Sequence, residues 1–237
     1  MTENQHTEIV HYLISKKLSI DIIAEVYDHF VTQITALMAE GHAFEEAFNK
    51  TQLTWSEDLK VYWNGSWDLD DKTDLERRMY KAHRKAWLKA SFFYSLKAGM
   101  VFFAILFLLS RGVEREHFLI GVIILLAVLG TIPFMVFIKH RKTFKMARTF
   151  SNYKLNSLQG TMGAGYGLVA NLMINLRPSY LIYYDMITDV HQLMRLGFFV
   201  ITIMIILFGI VSTLVLQYRY IHSMDKISPF LKYLKEG

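Results

Sequence analysis

Long apolar runs dominate the second half of this chain, whereas apolar and polar positions mix at short intervals in the first half. Four runs, at residues 92–110, 118–138, 158–176 and 196–217, carry few or no ionisable side chains. Each is close to the roughly 20 residues that an α-helix needs to cross the hydrocarbon core of a bilayer. The pattern predicts an all-α, polytopic membrane protein with a domain of four transmembrane helices at residues 92–217.

The third apolar run differs from the others because it is rich in glycine and amide side chains. Small residues let helices approach closely in a membrane, and amides form hydrogen bonds between helices. We therefore predict that this helix packs inside the bundle, with a re-entrant segment as the alternative. The residues expected to pack there are Gly160, Gly163, Gly167, Asn171 and Asn175.

Residues 1–64 show apolar positions at helical spacing and no strand alternation, which predicts a small cytoplasmic domain of three short helices. The second helix is expected to begin after an N-cap at Ser19 and to end at Gly41. The third is expected to carry Phe44, Phe48 and Trp55 on one face. A core of this size is small, so the domain is expected to rely on a partner, a second copy or the helix that follows it.

Residues 65–91 combine an acidic loop with a basic juxtamembrane helix. Thr73 and Glu76 have the spacing of a capping box, in which the two residues satisfy each other's backbone N–H groups. Helical spacing then continues without proline or glycine until Gly99. The sequence therefore predicts one uninterrupted rod from the soluble domain into the first span.

Charge is divided unevenly along the chain and indicates the topology. Residues 1–76 hold five Lys, no Arg and fifteen Asp or Glu, although the whole chain has a net charge of +5. The basic residues lie just before the first span, in the loop between the second and third spans, and in the tail at residues 218–237. These segments share one side only if the chain crosses four times with both termini in the cytoplasm. The counter-charge expected for them is anionic lipid headgroups rather than nucleic acid.

Candidate chemistry is sparse in this sequence. The chain has no cysteine, which excludes disulfides and thiolate catalysis. No phosphate-binding loop or zinc-protease motif occurs, so we predict no enzyme activity, no cofactor and no metal site. Arg78 and His83 have a spacing found in helical ribonucleases, but a basic helix produces it by chance. Lys97 lies inside the first span and is either a functional intramembrane charge or a side chain that snorkels to the headgroups.

One segment of the soluble domain resembles a known family. Residues 24–30 (AEVYDHF), Gly41 and residues 44–48 (FEEAF) are similar to the HAAS-like, or permease-prefix, helical domain found ahead of membrane spans in bacteria. The resemblance implies a bacterial inner-membrane protein with a signalling or accessory module and no catalytic residues. The candidate docking residues for a protein partner are Tyr27, Asp28, His29 and Phe30; for Asp28 and His29 a solvated patch is the alternative.

The sequence leaves three functional hypotheses. The first is a non-enzymatic accessory or regulatory subunit of a transporter or signalling system, which docks a protein partner or a second copy through its cytoplasmic domain. The second is a homo-oligomeric pore or membrane-disrupting effector, suggested by Lys97 and the glycine-rich run. The third, a membrane-tethered nuclease, requires Arg78 and His83 to act together.

Overall fold

The structure, a computed structural model, describes residues 1–63, 71–159 and 193–234, and this part of the chain is mainly helical. Only one pair of two-residue strands interrupts the helices among these residues, and it corrects the expectation that no strand forms. The helices are α1 (Glu3–Ser15), α2 (Ile20–Ala39), α3 (Phe44–Thr54), α4 (Asp74–Gly112), α5 (Arg115–Lys139), α6 (Arg141–Thr149) and α7 (Leu193–Ile227), followed by a 3-10 helix (Ser228–Tyr233); the strands are β1 (Val61–Tyr62) and β2 (Lys72–Thr73).

Three of these helices, α4, α5 and α7, are long and apolar enough to cross a membrane. They contain the predicted runs at residues 92–110, 118–138 and 196–217, so helices that could cross a membrane are found at three of the four expected places. The third run, at residues 158–176, lies almost entirely outside the described residues, as do all five of its predicted packing residues.

Contacts divide the chain into two compact units. The first unit comprises Met1–Arg84, Lys142–Gln159 and Tyr220–Gly237, and the second comprises Lys85–Arg141 and Gly160–Arg219. The first unit therefore draws on three separate parts of the sequence, and the three N-terminal helices are only one of them. Helices α4 and α7 each begin in one unit and end in the other.

The core of the first unit is built by α1, α2 and α3, as their periodicity predicts. Ile9, Leu13, Ile23 and Ile34 are fully buried, and so is Phe30. The Phe30 ring is in contact with two other aromatic rings, at centroid distances of 5.9 Å to Tyr12 and 5.5 Å to Trp55. Aromatic contacts of this kind add specific geometry to the burial of apolar area.

The ends of these helices follow local chemistry. Helix α2 ends before Gly41, whose φ of +99° suits glycine because no Cβ is present to clash. The N-terminus of α4 shows one of the two hydrogen bonds of the predicted capping box, because the Thr73 hydroxyl accepts a hydrogen bond from the Glu76 N–H at 3.0 Å. From there α4 runs through 39 residues without interruption, which confirms the predicted rod.

The second unit has an apolar core shared by α4, α5 and α7. Its fully or almost fully buried side chains are Phe102, Leu106, Phe118, Val122, Leu126, Phe199, Ile203, Ile206, Leu207 and Ile210. Helices α4 and α7 come close together at Gly99, where a Cβ would lie 2.5 Å from the Met204 sulfur. A larger side chain there would push Met204 away, so the glycine permits the close packing of two spans.

Two interhelical hydrogen bonds also hold the second unit together. The Trp87 indole donates to the Ser212 carbonyl at 3.2 Å and joins α4 to α7. The Gln217 side-chain amide donates to the Pro133 carbonyl at 3.0 Å and joins α7 to α5. Because lipid tails are as apolar as leucine, packing and hydrogen bonds rather than hydrophobic burial hold spans together. The outward faces are correspondingly apolar; Leu108, for example, is 70% exposed.

Candidate functional site

A polar cluster of the first unit lies where α2, α4 and residues 154–157 meet, and we call it the junction. It comprises Asp21, His83, Asn156 and Ser157, with Ser223 of α7. The Asp21 carboxylate accepts hydrogen bonds from the Ser157 N–H at 3.0 and 3.1 Å and from its hydroxyl at 2.9 Å. One carboxylate in the first turn of α2 therefore holds a segment more than 130 residues away in sequence.

Backbone hydrogen bonds reinforce this attachment. The N–H groups of Ile20 and Asp21 donate to the carbonyls of Lys154 and Leu155 at 2.8 and 3.3 Å. The first N–H groups of a helix have no partner within the helix and need one elsewhere. Here the 154–155 segment supplies it, which explains why Ser19 occupies the predicted N-cap position but makes no side-chain cap.

In the junction, His83 of α4 lies beside Ser157 and also near Glu25, which is one turn further along α2. His83 Nδ1 lies 3.0 Å from the Ser157 hydroxyl, and His83 Nε2 lies 3.9 Å from a Glu25 carboxylate oxygen. The single hydroxyl proton of Ser157 is donated to Asp21, since a carboxylate can only accept. His83 Nδ1 must then be the protonated, donating nitrogen, so it cannot act as a base toward Ser157. The geometry is that of a structural tie rather than of an activated nucleophile.

Asn156 connects the same segment to the end of α7. Its side-chain amide donates to the Ser223 hydroxyl at 2.9 Å, while its side-chain carbonyl accepts from the Leu158 N–H at 2.9 Å. Nearby, the rings of Phe144 and Tyr220 stack at 5.2 Å. These contacts bring the loop after α6 and the last turns of α7 into the first unit.

The C-terminal 3-10 helix packs against α1 and α2. Phe230 contacts the Tyr27 ring edge-on at a centroid distance of 5.2 Å, and Tyr233 contacts His11 at 6.1 Å. The Tyr27 hydroxyl and His6 Nδ1 are hydrogen-bonded at 2.6 Å, and burial raises the pKa of Tyr27 above its usual value. The residues after 219, predicted as a basic tail, are therefore part of the folded first unit up to residue 234.

The structure separates the four candidate docking residues into two groups. Phe30 belongs to the core, and Tyr27 is half-buried under Phe230. Asp28 and His29 remain exposed on α2, with the His29 ring beside Trp55 at 6.1 Å. Only the Asp28–His29 pair therefore offers its side chains to a partner in this conformation.

The other predicted candidates do not form a common site. Arg78 forms an ion pair with Asp58, whereas His83 belongs to the junction, so the two residues proposed for RNA cleavage have separate partners. Lys97 is exposed on α4. Among the residues that the structure describes, no group of three or more metal-ligating side chains occurs.

Three comparisons with known proteins identified no relative of this chain. No protein-family model, no curated protein and no solved structure matches this chain. The resemblance to the HAAS-like domain therefore stays a prediction.

The junction was missed by the sequence reasoning. In the sequence, Asp21 shows only a negative charge in the first turn of a predicted helix, where the helix dipole favours it. Asn156 and Ser157 lie in a polar stretch before the third apolar run, and such stretches are common in loops. No local pattern connects them to α2, because the pairing is set by tertiary packing.

Proposed function

We propose that this chain is a four-span bacterial inner-membrane protein without enzyme activity, which serves as an accessory or regulatory subunit of a transporter or signalling system. The observation that carries this proposal is the composition of the first unit. Three segments that border apolar helices form one folded body, and α4 and α7 continue from it into the second unit. A partner that binds the first unit therefore acts on both helices without an intervening flexible linker.

The same composition supports four crossings. Between Arg84 and Lys142 the chain passes through α4 and α5, which are two candidate spans. Between Gln159 and Tyr220 it passes through α7, and a return to the same side requires an even number of crossings. One further crossing from residues 160–192 meets that requirement, in agreement with the apolar run predicted there. The Lys and Arg residues that flank the apolar runs are concentrated at residues 77–89, 139–154 and 219–235, which favours the cytoplasm as the shared side.

Single-cysteine labelling tests this topology without background, because the natural chain has no cysteine. In intact spheroplasts, a membrane-impermeant maleimide is expected to label Glu114→Cys and to leave Lys145→Cys and Lys226→Cys unlabelled. Both lysine positions should react fully after permeabilisation. Labelling of Lys226→Cys but not of Lys145→Cys in intact spheroplasts would contradict four crossings.

Partner docking is tested at the exposed pair on α2. A photo-crosslinking amino acid at Asp28 or His29 is expected to yield a discrete adduct in native membranes, whereas one at the lipid-facing Met135 should not. Charge reversal by Asp28→Lys, combined with the probe at His29, is expected to reduce that adduct at least several-fold. If only monomer is recovered from both α2 positions, the docking role is wrong.

The alternative function is a homo-oligomeric pore or membrane-disrupting effector. Its support in the structure is the exposed side chain of Lys97 on α4, which is accessible to a neighbouring copy. Within the described part of the second unit, however, α4, α5 and α7 share a hydrophobic cluster, and the buried polar side chains there are Ser, Thr and Gln, with no buried ionisable group. A conducting path would therefore have to form between copies. Ion flux from liposomes that depends on Lys97 would favour the pore. An absence of ion flux even at high protein-to-lipid ratios would favour the accessory subunit.

A further inference from the structure

A groove of about 580 Å³ lies between α4 and α7 within the second unit. The described part of its lining includes Ala90 and Tyr94 from α4 and, from α7, Leu214, Val215, Tyr218 and Arg219. This volume falls in the range that small-molecule sites usually have. Most of the lining is apolar, and one guanidinium group is present among these side chains.

The groove lies where the apolar runs of both helices end. Tyr94 is near the beginning of the run at residues 92–110, and Tyr218 and Arg219 directly follow the run at residues 196–217. Tyrosine is enriched at the level of the lipid headgroups, where an apolar ring and a polar hydroxyl are both accommodated. One end of the groove therefore faces acyl chains, and its other end is at headgroup level.

We propose that this groove binds one anionic phospholipid. An acyl chain would lie along Ala90, Leu214 and Val215, and the lipid phosphate would be bound by Arg219. A guanidinium group forms bidentate, charge-assisted hydrogen bonds with phosphate oxygens, which gives it a preference over neutral groups. Basic pockets between transmembrane helices on the cytoplasmic side are suited to anionic headgroups for this reason.

Lys97 supplies a second cation close to the same place. Residues 90, 94 and 97 share one face of α4, because they are separated by four and three positions. Side chains on a helix lean toward its N-terminus, so we expect the exposed Lys97 side chain to be able to reach toward the headgroup level.

A second copy of the chain or a partner helix would fill the groove differently. Such an occupant would contact mainly the apolar side chains, whereas a lipid would contact both these side chains and the guanidinium. Arg219 also interacts within the chain, and a guanidinium carries five N–H donors, so a phosphate can share it. This inference rests on the part of the proposed function in which α4 and α7 cross a bilayer, and it is independent of partner docking.

The test measures lipid retained by the purified full-length protein after reconstitution with equal amounts of phosphatidylglycerol and phosphatidylcholine, by native mass spectrometry. The natural protein is expected to retain phosphatidylglycerol preferentially. Arg219→Gln should reduce that retention about tenfold, the usual scale for loss of a charged hydrogen bond. Ala90→Phe should reduce retention of either lipid by filling the groove, and Arg219→Lys should keep part of the preference.

Lys89→Gln is the matched control, since it removes an exposed cation beside Ala90 that does not line the groove. It is expected to leave lipid retention unchanged. Unchanged retention in Arg219→Gln, or an equal loss in Lys89→Gln, would overturn the site and leave only diffuse attraction to the membrane surface. Cysteine labelling of the same preparations reports the crossings separately, so a failure of the lipid site is distinguishable from a failure of the topology.

Discussion

Replacing Phe30 by alanine is expected to lower the free energy of unfolding of the first unit by about 3–5 kcal/mol. The side chain is fully buried, and its ring is packed between those of Tyr12 and Trp55. Domains of this size are stable by only about 5–15 kcal/mol, so such a loss leaves the unit close to unfolding. Thermal unfolding of the full-length protein in detergent, followed together with limited proteolysis of α1–α3, measures the effect.

His29→Ala is the control for that experiment, because His29 is the neighbouring exposed residue and also contacts Trp55. Its stability loss is expected to stay near or below about 1 kcal/mol, since surface substitutions have small effects. If Phe30→Ala leaves unfolding unchanged while it abolishes partner adducts, Phe30 is a docking residue as the sequence suggested. A large loss of stability instead assigns it to the core.

The second large effect is expected at the junction, where Asp21→Asn should destabilise the first unit by about 2–3 kcal/mol. The substitution keeps the volume of the side chain but removes its charge and places an NH₂ group near the Ser157 donors. We expect residues 142–159 to detach before the three N-terminal helices unfold. Faster tryptic cleavage after Arg148 and Lys154, at temperatures where α1–α3 remain intact, is the measurement.

Asp28→Asn on the same helix is the matched control, because Asp28 is exposed and has no role in the junction. It is expected to change neither the cleavage rate nor the unfolding temperature. Equal cleavage of the two variants would mean that Asp21 contributes no more than a surface charge. In that case the 154–155 carbonyls, rather than the carboxylate, hold the loop.

The helices were predictable because their signals are local. Apolar residues at helical spacing marked α1 and α2, a threonine–glutamate pair marked the start of α4, and long apolar runs marked three spans. These features need only neighbouring residues, and tertiary packing did not override them. The two-residue strands were missed because they are too short to show an alternating pattern.

The junction was not predictable because it depends on partners far apart in the chain. The N-cap at Ser19 illustrates the difference: its position follows from the sequence, but the first N–H groups of α2 bind the carbonyls of Lys154 and Leu155. Trp55 likewise lies just beyond the end of α3, where it covers Phe30 rather than extending the helical face. In both cases contacts between residues far apart in the sequence determine the final geometry, and the local sequence does not reveal them.

The composition of the first unit also has a consequence for biosynthesis. Its N-terminal helices leave the ribosome first, but the residues that complete it, from Tyr220 onward, are made only after every apolar run has been translated. At about 5–20 residues per second, the early helices wait roughly ten to thirty seconds for Phe230 and its neighbours. During that interval Phe230 cannot pack on the Tyr27 ring. The first unit is therefore completed only after the apolar run at residues 196–217 has been translated.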